Sequence, residues 1–215
     1  MSRYLCLLAA TAAMLLTGRA DAAIRITEWM YSGDDGEFIE FTNTGAAPVD
    51  LAGWSFSDTA RAPGAVSLSA LGTIAAGESF ILAEPTAAAF RTAWNLSAAV
   101  KVLGENTANL SRGDEMNIYD AANALVDRLT YGDQTIAGSI RAQNASGNPK
   151  TLGALGANDV LQWQLAAAGD AYGSYAGAAG NLGNPGSFAL VPEPATWGLA
   201  ALAGAVIALR GRRAK

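Results

Sequence analysis

Asp34, Asp35 and Glu37 crowd one predicted turn, and Glu28 and Glu40 lie on either side of it. Oxygen donors gathered in this way can hold calcium outside a cell, although the spacing is not that of an EF-hand loop. Glu28, Glu37 and Glu40 also supply the carboxylates of a glycosidase-type pair, one acting as acid and the other as base or nucleophile. Two plainer uses compete with these. Acidic residues at a hairpin tip are usually solvated, and carboxylates on neighbouring strands hydrogen-bond across them. Trp29, Trp54, Trp94 and Trp163 can stack on sugar rings. Trp29 is the expected carbohydrate contact if it stands on an exposed edge strand, whereas Trp54 is expected in the core.

Composition removes most other chemistries. The sequence contains no histidine, and its single cysteine is Cys6. Ser-His-Asp triads, Cys-His dyads and ordinary zinc sites are therefore excluded, and acid–base work falls to carboxylates, Lys or Tyr. Between residues 23 and 191 stand 17 acidic and 8 basic residues, a net charge of −9. A domain so acidic has no basic face with which to gain from counterion release, so nucleic acid is not an expected partner. No cofactor is expected, calcium at the acidic turn being the exception, and the expected class is not an enzyme.

The elements that must position these residues read mainly as strands. Residues 24–27 and 38–42 alternate apolar and polar side chains around the turn at 32–36. Further short strands are predicted at 52–57, 79–82, 100–103, 116–119 and 125–131. Thr86 to Trp94, with Phe90 and Trp94 four apart among alanines, reads as a short helix. Many short strands at regular spacing predict an all-β antiparallel sandwich or barrel. Six glycines between Gly169 and Gly186 mark residues 166–191 as a loop or flexible spacer.

Both ends read as targeting segments. Arg3, the apolar run Leu5–Leu16 and the small residues Ala20 and Ala22 before Ala23 make residues 1–22 a helical signal peptide cut ahead of Ala23. Val191-Pro192-Glu193-Pro194 precedes an apolar run over 195–209 and a basic end containing Arg210, Arg212, Arg213 and Lys215. As one transmembrane helix the run spans about 22 Å, short of the ~30 Å hydrocarbon core. The basic cluster stays cytoplasmic, which puts the domain across the membrane.

These residues carry two resemblances. Pro192-Glu193-Pro194, the short span and the Arg-rich end over 192–215 resemble the PEP-CTERM sorting signal of Gram-negative bacteria. The resemblance implies recognition by an exosortase, a membrane-embedded transpeptidase-like enzyme. The product would be an exported protein that passes through the inner membrane to the cell surface or exopolysaccharide matrix. Ile26-Thr27-Glu28-Trp29-Met30, Gly36 to Asn43, Val49 to Trp54, Leu110 to Met116 and Val126 to Tyr131 are similar, in order, to the lamin tail domain. This likeness implies an immunoglobulin-like β-sandwich over 23–165, best supported over 23–133, in a family without a common catalytic activity. The expected function is a non-catalytic surface or matrix protein whose sandwich contacts proteins or polysaccharide. A calcium-dependent adhesive module is the first alternative and a carboxylate-based hydrolase the last.

Overall fold

A computed structural model describes residues 24–188. The signal peptide, its cleavage residues Ala20, Ala22 and Ala23, the sorting residues Pro192, Glu193 and Pro194, the span 195–209 and the basic end lie outside the described residues.

Two sheets face each other. The larger is built from β1 (Ile24–Met30), β2 (Phe38–Asn43), β7 (Ser79–Ala83), β8 (Lys101–Leu103), β11 (Gly147–Pro149) and β12 (Trp163–Leu165), in the order β12-β11-β1-β2-β7-β8. The smaller runs β10-β9-β4-β5, from β10 (Leu125–Gly132), β9 (Gly113–Tyr119), β4 (Ser55–Ser57) and β5 (Val66–Ser67). Two small ribbons complete the fold, β3 (Val49–Asp50) with β6 (Thr73–Ile74) and β13 (Tyr175–Ala176) with β14 (Leu182–Gly183). The sandwich is thus all-β as expected, with one departure from antiparallel order: β8 pairs parallel to β7, because α1 (Ala87–Ala93) carries the chain back over the sheet between them. A crossover of this kind is what a parallel neighbour requires.

Apolar side chains at alternate positions fill the space between the sheets. Ile24, Ile26, Trp29, Ile39, Phe41, Phe80 and Leu82 of the large sheet meet Phe56, Met116, Ile118, Leu129 and Tyr131 of the small one. The outer face of the large sheet is covered as well. Thr86 caps α1 by accepting from the Ala89 amide at 3.2 Å, and Phe90 and Trp94 pack from the helix onto Met30, Phe38, Ile81 and Ala83. Residues four apart share one helical face, which is why this pair reaches the sheet together.

A bulge in β1 decides which of its side chains face outward. Ile26 pairs with Phe41, but the next pair is Glu28 with Glu40, so Thr27 has no partner of its own. The extra residue puts Thr27 and Glu28 both on the outer face and returns Trp29 to the core. Trp29 is fully buried, with its ring centroid 4.0 Å from that of Tyr131. This corrects the expectation of a carbohydrate contact at Trp29: alternation continued without the bulge would have turned it outward.

Candidate functional site

The expected acidic turn does not gather its carboxylates. Asp34 is exposed, while Asp35 and Glu37 are buried. Asp35 turns to residues 179–181, accepting from the Ala179 amide at 2.7 Å and the Asn181 amide at 3.0 Å. The Asp35 amide in turn donates to Asn181 Oδ1 at 2.7 Å. Glu37 points elsewhere and accepts from the Leu110 amide at 2.7 Å; burial pushes its carboxyl up to about 8. Backbone donors thus take both carboxylate oxygens of Asp35 and Oε1 of Glu37, and the two side chains point to different parts of the chain. Among the described residues no three acidic side chains converge in a metal-binding group.

Glu28 and Glu40 do come together. They are register partners across β1 and β2, and both are fully buried on the outer face of the large sheet. Glu28 Oε1 accepts from the Ser146 hydroxyl and from the Asn184 amide at 2.7 Å. Glu40 Oε1 accepts from the Thr27 hydroxyl at 2.9 Å, and Oε2 from the Gly186 amide at 2.5 Å. Thr27, Thr42 and Ser79 extend the pair into a row of hydroxyls, with Thr27 and Thr42 2.9 Å apart and Thr42 and Ser79 2.8 Å apart. Burial is the chief cause that raises the Glu28 carboxyl well above the ordinary range, and the Glu40 charge adds to it. Burial likewise raises Glu40. No cation forms an ion pair with either among the described residues, so protonation is the cheapest way to relieve two facing buried charges. The pair lies under a covering segment, and three of its four oxygens accept from donors of the chain itself.

That covering segment is the stretch whose composition suggests a loop or spacer over 166–191. As far as Phe188 it is a folded part of the domain. Asp170 organises its first turn by accepting from the Ala167, Tyr172 and Ser174 amides at 3.0 Å each. The Ala178 amide bonds the last turn of α1 through the Ala93 carbonyl, and the Tyr175 hydroxyl bonds the Trp94 carbonyl. Gly183 is needed for close approach: a Cβ there would lie 2.9 Å from Glu28 Oε1 and 3.1 Å from both Ser146 Oγ and Trp94 Cη2. At Gly183, therefore, a glycine that suggests a free tether is the means of fitting the chain against the sheet. Asn181, Asn184, Ser146 and Asp170 do not stand out in the sequence as site residues. The one signal for them is the Asn184-Pro185-Gly186 turn, since partners so distant in sequence leave no local pattern.

Trp54, Trp94 and Trp163 are structural. Trp94 Nε1 donates to the Asp35 carbonyl at 3.1 Å, Trp163 is buried, and Trp54 is half-buried against the main core.

A fold of this kind, two facing sheets with Glu28, Glu40 and Asp35 turned to amides of residues 179–186, defines a β-sandwich domain. The Lamin Tail Domain family model matches residues 17–133, and the chain belongs to that family. The PEP-CTERM protein-sorting motif matches residues 190–213, so the chain is an exported protein of the exosortase-sorted kind. No curated protein matches the chain.

Proposed function

We propose that the protein acts, after sorting, as a non-catalytic component of the cell surface or exopolysaccharide matrix, its sandwich making the contact with protein or polysaccharide. The observation that carries this reading is the use of the acids. Asp35, Glu28 and Glu40, the side chains best suited to chemistry, accept hydrogen bonds from the segment next to the sorting motif. The division of the chain accords with it: 23–165 as the sandwich, 166–188 as its closing segment, and the residues from 192 onward as the sorting signal.

The test is co-sedimentation of the full processed protein with exopolysaccharide from its own host, run with millimolar calcium and with chelator. Binding in both conditions supports the reading. Binding lost only with chelator favours the calcium-dependent adhesive alternative. Polysaccharide hydrolysis by the wild type that disappears in Glu28→Gln or Glu40→Gln would overturn the non-catalytic assignment.

A further inference from the structure

We propose that the end of the sandwich around Phe188 is the surface on which the membrane-embedded sorting enzyme docks. The proposal rests on the sorting motif and not on the matrix-contact reading above.

The geometry has three parts. First, the chain is held to the sandwich as far as residue 187. The Gly186 amide bonds Glu40, and the Asn184 side chain bonds the Ser187 carbonyl at 2.8 Å. Second, the sorting motif begins at residue 190. Three residues separate Phe188 from Pro192, so four backbone steps give a reach of at most about 14 Å even when fully extended. An enzyme that draws Pro192-Glu193-Pro194 into its own cleft must therefore bring its surface against the face from which the chain leaves. Third, both ends of the described chain meet at this face. Ile24 pairs with Asn43, and Asn43 lines a groove of about 330 Å³ together with Phe188. A second groove of about 300 Å³ continues past Phe188 to Ala99 and Val100.

The chemistry of the face agrees. Its exposed residues include Thr44, Ala76, Gly77 and Ala99, small and uncharged. Glu78 beside them is neutralised by Lys101 at 3.1 Å. The domain as a whole carries a net charge of −9 between residues 23 and 191. Desolvating a charge against a partner is costly, so an uncharged patch on an acidic domain is where close protein contact costs least.

The experiment tracks processing of the full chain in an exosortase-bearing host, as the ratio of precursor to cleaved product. Ala76→Glu and Ala99→Glu each place a charge on the face and should slow cleavage about tenfold. Ala137→Glu, exposed near the far end where Tyr31 stacks with Tyr131, should be cleaved like the wild type. Inserting about twelve Gly/Ser residues after Phe188 should restore cleavage of Ala99→Glu, because the enzyme then no longer has to meet the face. Protease resistance of the exported chain is read in parallel, and Thr44→Glu replaces any variant that loses it. Wild-type cleavage of the face variants, equal slowing by Ala137→Glu, or failure of the insertion to rescue would each overturn the proposal.

Discussion

Buried carboxylates occupy the outer faces of both sheets, and the two faces satisfy them in opposite ways. On β9 of the small sheet, Glu115 meets two guanidiniums, Arg61 bidentately at 2.7 Å and Arg128 at 3.2 Å. Burial by itself would raise the Glu115 carboxyl. Arg61, Asn117, Thr130 and Arg128 outweigh it and hold the group down at about 2. On the large sheet Glu28 and Glu40 have hydroxyls and backbone amides in place of cations, and both stay raised. A carboxylate fixed by arginines is a permanent charge. One fixed by amides serves as a neutral or ionised acceptor with the same geometry, so its use is to hold chain rather than charge.

The largest expected effect breaks the amide side of this contrast. Glu28→Ala leaves the Ser146 hydroxyl and Asn184 amide without their acceptor and should cost about 3 kcal/mol in urea unfolding. Glu28→Gln keeps an acceptor oxygen and removes the repulsion with Glu40, so at pH 8 it should cost less than about 1 kcal/mol. Equal losses in the two variants would show that the charge, and not the acceptor, matters. Gly183→Val comes next, at about 2 kcal/mol, because its Cβ would meet Glu28, Ser146 and Trp94 at 2.9–3.1 Å. Limited proteolysis should then cut within 177–187, where the wild type resists.

Acidity sharpens the comparison further. Glu28, Glu40 and Glu37 have folded values above their unfolded ones. Their stabilising protonation is complete below the ordinary carboxylate range and is lost as pH rises through the folded values, about 8 for Glu37. Thermal melts should therefore show Tm falling by several degrees between pH 5 and pH 8, with a smaller fall in a Glu28→Gln, Glu40→Gln double variant. Glu115 has the reverse sign: its contribution is present above the unfolded value and is lost as pH drops toward about 2. Arg61→Ala should give the smallest change, a Tm decrease of about 2 °C at pH 7 that disappears near pH 2, because the arginine is largely exposed.

Much of the frame is legible in the sequence. The alternating strands, the short helix anchored by Phe90 and Trp94, and the turn at 32–36 all arise from local pattern, and the structure has them. Trp29 is misread because a single bulged residue shifts every later side chain by one face, and nothing in Ile-Thr-Glu-Trp announces it. The acidic turn is misread because Asp35 finds its partners 144 and 146 residues away. Glycines in 169–186 suggest freedom by composition, whereas at Gly183 the missing side chain is what permits contact. Periodicity reports which face a residue takes, and it carries no information about the distant segment that will cover that face.

The closing segment also orders events in time. Glu28 is made near the start of the chain, and the Asn184 amide that it binds comes 156 residues later. Contacts of such long range form late and slowly, since the loop between them must first be closed. Until residues 177–187 are in place, the part of the outer face that carries Glu28 and Glu40 therefore lies uncovered, whereas the part under Phe90 and Trp94 has its cover from α1. The fold is thus completed by the stretch that leads into the sorting motif.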